Sequence, residues 1–279
     1  ARAGHSPGLR CARCRARATC PRCGGPLIRP SRDRLLCCLC GHTPVRFECT
    51  SCHATGLRAP IAGSERTAEE LGRAFPGMRV INSSAERIRS GIPEEPAIVV
   101  ATPGGEPTAP GGYAGALILD AELALSRADL RVGEETLRRW CQVACLVRPA
   151  VDGGGLLIVG PSEEPAVQAL LRADPGGFAA RELADRAAAG LPPAVKAVQV
   201  GGDPEAVAAF LDNDPFTGAE VLGPTLVREK PDPEVMSLLR CPLEKGRELV
   251  RAVKHAAAIR SARKEGGRLF LQVDPMTLT

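Results

Sequence analysis

The stretch CPRCGGPLIRPSRDRLLCCLCG, residues 20–41, holds two cysteine pairs of one spacing, C-x-x-C, around a short apolar segment. Two thiolates set two residues apart can face one tetrahedral ion, and a glycine after each pair, here Gly24 and Gly41, lets backbone N–H groups approach the sulfurs. The thirteen residues between Cys23 and Cys37 read as a hairpin: a strand at Leu27 and Ile28, a turn over residues 30–33, and a return at Leu35 and Leu36. Such a hairpin carries two thiolate pairs to one end, where a metal ion would hold them.

Working outward, CARC (11–14) and CTSC (49–52) flank this hairpin, so that nine of the twelve cysteines fall between residues 11 and 52. Four such pairs specify two four-cysteine zinc sites. Three pairings are possible, and the hairpin favours a nested one: Cys20, Cys23, Cys37 and Cys40 inside, Cys11, Cys14, Cys49 and Cys52 outside. Cys38 is the odd residue and is expected to be spare. His42 and His53 each stand behind a pair and could replace a cysteine, but eight well-spaced cysteines need no substitute. Disulfides are disfavoured by the regular spacing and by the lack of a secretory signal. Iron also suits an all-sulfur tetrahedron, and the Arg-rich surroundings favour zinc over it. Closed four-thiolate sites have no open position for water, which makes them scaffolds rather than catalysts.

Charge is uneven along the chain. Residues 1–60 hold 11 Arg against 2 acidic residues, a net +9, and the remainder carries −5. A basic head can meet phosphates, and Arg10, Arg13, Arg15, Arg17 and Arg22 are its candidate DNA contacts. The plainer alternative is that small cysteine-rich modules are often basic and merely soluble. Aromatic residues make up 3% of the chain, so any core is built from Ala, Val, Leu and Ile. No apolar run reaches the roughly 18 to 20 residues of a membrane span, so the chain reads as soluble and cytoplasmic, with no membrane partner. It starts at Ala1 without logic for a cap or turn, as a portion of a longer protein would.

After residue 60 the rhythm changes. A helix signature follows Ser64, with Glu65 in its first turn and Leu71, Ala74 and Phe75 at helical spacing. MRVIN (78–82), AIVVA (97–101), GALILD (115–120) and LLIVG (156–160) read as buried strands, and strands alternating with helices mean a parallel α/β sheet. The loops TPGGEPTAPGG (102–112) and VDGG (151–154) are glycine-rich, yet no G-x-x-x-x-G-K-[ST] occurs, and neither loop has a lysine. They read as connections.

The four cysteine pairs, then GSERTAEELGRAFPG (63–77), ADLRVGEETLRRWCQVA (128–144), GLPPAVKAVQV (190–200) and LFLQVDP (269–275), resemble the C-terminal half of the PriA family of primosomal replication-restart helicases. The resemblance implies a RecA-like second helicase lobe with an inserted double zinc-ribbon module and a small α+β C-terminal domain. Its divisions would be a cysteine-rich module at 1–60, a degenerate lobe at 61–190 and the C-terminal domain at 191–279. The family's Walker lysine and Asp-Glu-x-His box would lie in a first lobe outside this sequence.

Departures from the family pattern bear on activity. Where active members have a Gly-Thr-Gln-Met loop and then Lys-Gly, Thr102 survives, Pro103 and Gly104 replace Gln and Met, and Pro107 and Thr108 replace Lys-Gly. The family helix ends Gln-Val-Ala-Gly-Arg-Ala-Gly-Arg. Here the run is Gln142, Val143, Ala144, Cys145, Leu146, Val147, Arg148, Pro149, so both arginine positions are apolar. Arg148 falls one residue short of the second, which on a helix is a rotation of about 100°, so it would point elsewhere. An arginine finger contributes about 10³ to 10⁵ in rate where phosphoryl transfer uses one, so ATP binding is doubtful and little or no ATP-driven unwinding is expected. Cys141 joins Leu137, Trp140 and Ala144 in an apolar stripe and reads as packing, while Cys145 stands at a family glycine.

Residues 190–193 read as a boundary, followed by a strand in VKAVQV, a helix over 204–212, strands at 235–241 and 268–274, and a long helix over 244–264. The long helix carries Lys245, Arg247, Arg251, Lys254, Arg260, Arg263 and Lys264, a face suited to DNA phosphates or simply to water. Three functions compete: a non-catalytic replication-restart protein that recognises forked DNA and recruits primosome components; half of an ATP-dependent 3'-to-5' helicase completed by a separate lobe; and a zinc-stabilised interaction module. The resemblance implies DNA, single-strand DNA-binding protein and primosome components as partners, a nucleoid-associated setting, and two Zn2+ per chain.

Overall fold

In the cysteine region, two small antiparallel strand pairs set the frame. β1 (Arg10–Cys11) pairs with β4 (Leu57–Arg58), and β2 (Leu27–Ser31) pairs with β3 (Arg34–Cys37). The second pair is the expected hairpin, with Leu27 opposite Cys37 and Ile28 opposite Leu36. The computed structural model describes residues 9–31, 34–37, 40–58, 64–84, 87–126, 129–212, 216, 218–228 and 233–276. Cys38 and the turn residues Arg32 and Asp33 lie outside them.

The chain divides into two compact units, residues 1–128 with 132–175, and residues 129–131 with 176–279. The first unit holds the cysteine region and an α/β region. The cysteine region buries Leu9, Ala18, Leu27, Leu35 and Phe47 together with Cys11, Cys20, Cys37 and Cys49. So few apolar side chains make a marginal core, which is why small domains of this kind depend on metals.

In the α/β region, α1 (Ser64–Ala74) packs on β5 (Arg79–Ser83) and β6 (Ala97–Ala101), which run parallel. β7 (Gly115–Ile118) and β8 (Gly155–Ile158) form a second parallel pair. The crossover between them holds α2 (Ala121–Leu125) and α3 (Val132–Leu146), and α4 (Pro165–Leu171) packs on α3. The expected four strands are therefore present as two parallel pairs, and no ladder joins the pairs among the described residues. On α3 the buried stripe centres on Thr136, Leu137 and Trp140. Cys141 is half-buried at its margin and Cys145 is exposed.

The second unit begins with α5 (Pro175–Ala189), all but its first residue, and continues through β9 (Lys196–Gly202), α6 (Pro204–Asp212), β10 (Glu220–Arg228), β11 (Glu234–Cys241), α7 (Gly246–Ala262) and β12 (Leu269–Val273). The sheet order is β10-β11-β9-β12, every neighbour antiparallel. Each helical crossover thus straddles an inserted strand, a split β-α-β arrangement of the ferredoxin-like kind. Val198 and Val200 of β9 and Val235 and Leu239 of β11 meet Val207 and Phe210 of α6 and Leu249 and Val253 of α7 in one core. β12 is held on β9 at both ends, by Arg268 bridging Asp203 at 2.9 Å and by Lys196 pairing with Asp274. Within the same unit the buried Arg186 of α5 donates to the Leu130 carbonyl at 2.9 Å, which ties residues 129–131 to this body.

Candidate metal centres

One local design is repeated four times. In each C-x-x-C pair the amide of the first cysteine donates to the carbonyl five residues on: Cys11 to Ala16 at 2.8 Å, Cys20 to Gly25 at 2.8 Å, Cys37 to His42 at 2.9 Å, Cys49 to Ala54 at 3.0 Å. The carbonyl of that same cysteine accepts from the residue after the second cysteine: Arg15 at 3.1 Å, Gly24 at 2.9 Å, Gly41 at 3.1 Å, His53 at 2.9 Å. All four of those donors are left-handed, with φ of 64°, 72°, 66° and 58°. The turn folds the backbone around the sulfurs, burying the first cysteine of each pair and leaving the second at the surface or half-buried.

β1 with β4, and β2 with β3, then bring the pairs together two by two. The sulfurs of Cys11, Cys14, Cys49 and Cys52 lie within 4.8 Å of one another, and so do those of Cys20, Cys23, Cys37 and Cys40. The short edges are 3.6 Å for Cys11–Cys52, 3.5 Å for Cys14–Cys49, 3.8 Å for Cys20–Cys40 and 3.4 Å for Cys23–Cys37. A tetrahedron with metal–sulfur bonds of about 2.3 Å has edges of about 3.8 Å. The donor set and its spacing therefore fit a thiophilic tetrahedral ion such as zinc in both groups. Both are all-cysteine; His42 and His53 belong to neither, and His53 turns its Nδ1 to Glu48 at 3.0 Å.

Electrostatics point the same way. The amide of Ser51 pulls the Cys49 thiol down to about 6 against its burial, and the amide of His42 pulls Cys40 down to about 7. Cys14 and Cys23 are pushed up to about 12: the amides of Ala16 and Gly25 pull them down, and the neighbouring thiols outweigh that pull. Four sulfurs this close cannot all ionise without a cation among them.

The candidate DNA-contact arginines separate into two kinds. Arg13, Arg15 and Arg22 are exposed. Arg10 and Arg17 are half-buried: Arg10 Nη2 reaches Glu122 Oε2 at 2.8 Å, and Arg17 Nη2 reaches the Ser126 carbonyl at 3.4 Å. On α7, Arg247, Arg251 and Lys254 are exposed, and Arg260 is turned back to Glu265 at 3.3 Å and to the carbonyls of Gly266 and Gly267.

In the glycine-rich loop at 102–112, the amide of Gly104 donates to the Glu106 carboxylate at 2.9 and 3.1 Å. Arg148 lies beyond the end of α3. α3 ends at Leu146, so a helical rotation does not describe the position of Arg148. Its amide donates to the Tyr113 carbonyl at 3.0 Å, and a Cβ on Gly154 would come within 1.8 Å of its carbonyl oxygen, so glycine is needed for that approach. Sequence reasoning also passed over Arg15 and His53 as members of the repeated turn. The available signal was their position, directly after the second cysteine.

No described helix is long and apolar enough to cross a membrane. Residues 187–276, which include β9 to β12, match the family model for the primosomal protein N C-terminal domain. The whole chain is similar to the probable replication restart protein PriA of Mycobacterium leprae, with 40% identity over 287 residues covering 99% of this chain and 44% of that protein. It is 41% identical over 294 residues to its counterpart in Mycobacterium tuberculosis, covering 99% and 45%. Replication restart protein PriA of Treponema pallidum is 27% identical over 248 residues, covering 80% and 37%. The chain thus spans less than half the length of these relatives. Along nearly all of its own length the chain is similar to a portion of the PriA replication restart proteins, and residues 187–276 match the family's C-terminal domain.

Proposed function

We propose that this chain is the DNA-binding and assembly portion of a replication restart protein, recognising forked or stalled-fork DNA and helping to seat the replicative helicase without unwinding DNA itself. The observation that carries the reading is the 40% identity, over 99% of the chain, to proteins bearing the replication restart name. Functionally the chain divides into a two-zinc head at 1–60, a degenerate RecA-like second lobe at 61–190 and a C-terminal domain at 191–279. The parallel pairs β5–β6 and β7–β8, the second linked by a helical crossover, support the RecA-like reading.

Zinc in the two cysteine groups supplies a closed cross-link and no reactive position. An occupied four-thiolate site carries a net −2, so a head of formal charge +9 remains basic, at about +5. Of the candidate arginines, Arg13, Arg15 and Arg22 are exposed beside the cysteines and can meet phosphates. Apolar residues at both family arginine positions support a lobe that does not turn over ATP. Single-strand DNA-binding protein and primosome components are the protein partners of this reading, in a cytoplasmic, nucleoid-associated setting.

Fork-DNA binding over a salt series tests it. Phosphate contacts release counterions, so affinity falls steeply as salt rises; affinity indifferent to salt would sink the DNA reading and leave a zinc-stabilised protein-interaction module. The competing reading, half of an ATP-dependent 3'-to-5' helicase, rests on relatives more than twice as long. DNA-stimulated ATP hydrolysis by the complete protein would establish it.

A further inference from the structure

The four turns that carry the two cysteine groups share one backbone design and differ at one position. The residue after the second cysteine is left-handed in all four turns, but it is glycine only in the inner group, Gly24 and Gly41. In the outer group the same conformation is forced on Arg15, at φ 64°, and His53, at φ 58°. A side chain makes that conformation unfavourable by about tenfold per residue relative to glycine.

Topology adds to the difference. The inner group closes across one hairpin, with 13 residues between Cys23 and Cys37, whereas the outer group must join Cys14 to Cys49 across 34. Loop-closure entropy alone makes the longer closure about fourfold less favourable. The outer closure also contains the inner one: β2 and β3 lie within it, so an empty inner group leaves the outer pairs at the ends of a longer free chain.

We infer that the two sites are filled and emptied in order, the Cys20–Cys23–Cys37–Cys40 site first in and last out, the Cys11–Cys14–Cys49–Cys52 site being the labile one that depends on it. This rests on the reading that both groups hold zinc. Its consequence is local: β1 carries Cys11 next to Arg10, so the labile site is the one joined to α2 through the Arg10–Glu122 pair. Arg17, bridged to Arg10 through the backbone, donates to the Ser126 carbonyl.

The test uses the full zinc-loaded chain and its variants, with zinc counted by elemental analysis and titrated against a chromogenic chelator. Wild type should give two classes of zinc with affinities separated by at least about tenfold. Cys14 and Cys23 are both exposed, so replacing either with serine removes a ligand with little loss of packing. Cys14→Ser should keep one tightly held zinc, and Cys23→Ser should lose both to a chelator concentration that Cys14→Ser survives. The double variant Arg15→Gly, His53→Gly should tighten the weak class at least about tenfold and close most of the gap. Equal affinities in wild type, or one zinc held as firmly by Cys23→Ser as by Cys14→Ser, would overturn the order while leaving the zinc reading intact. A wild-type chain that binds no zinc would overturn both.

Discussion

Arg10 and Glu122 stand 112 residues apart in sequence and 2.8 Å apart in space. The contact joins β1 of the cysteine head to α2 of the α/β region. The Arg17 bond to the Ser126 carbonyl reinforces it, so two of the arginines that look like phosphate contacts act within the protein.

The pair is 24% and 37% exposed on its two sides, so solvent screening limits it. A double-mutant cycle on Arg10→Ala and Glu122→Ala, read by chemical denaturation, should give a coupling of about 0.5 kcal/mol. Coupling indistinguishable from zero would mean that the head is not held there.

Because they are spoken for inside the protein, Arg10 and Arg17 should contribute less to DNA affinity than their neighbours. Arg13→Ala and Arg22→Ala should each lower the slope of log affinity against log salt by about 1. Arg17→Ala should leave that slope unchanged. Equal losses at all three positions in fork-DNA binding would contradict the division.

Much of this division was not legible in the sequence, and the reasons are physical. The C-x-x-C spacing marks the two cysteine groups because thiolates must sit at fixed separations around one ion, and the apolar pairs Leu27–Ile28 and Leu35–Leu36 on either side of a turn stretch mark the hairpin. Nothing in that spacing shows that Arg10 has a carboxylate to meet. Arg15 and His53 give no turn signal, since their left-handed backbone is imposed by the hydrogen-bonded turn around each cysteine pair rather than by their own preference. β10 was missed: Gly223 and Pro224 interrupt its apolar run. Among the described residues only β11 pairs with it, and a strand at the sheet edge tolerates a residue without an N–H. α7 starts at Gly246 rather than 244, because Leu243–Lys245 forms a 3-10 turn first.

In the second unit Leu239 is fully buried among Val198, Val207 and Leu249. Leu239→Ala should destabilise that unit by about 2 to 5 kcal/mol, measured by urea denaturation. A change below about 1 kcal/mol would contradict the core as described.

Glu135 on α3 accepts from Arg138 at 2.8 Å and from Arg139 at 2.8 Å, and chiefly the Arg138 hydrogen bond holds its carboxyl down at about 2. With the folded value depressed below the ordinary carboxylate range, the contribution is complete above about pH 4.5 and is lost as pH falls toward 2. The side chain is 34% exposed, so screening keeps the effect to about 0.5 kcal/mol. Glu135→Gln should be less stable than wild type at pH 6, with the difference shrinking by pH 3. A difference that grows on acidification would have the wrong sign.

X-ray absorption at the zinc edge, on the purified chain with its metal counted, tests the two-centre account most directly. Two zinc ions per chain, each with four sulfurs at about 2.3 Å and no nitrogen or oxygen neighbour, is the predicted result. One ion or none, or a first shell containing imidazole nitrogen, would contradict it.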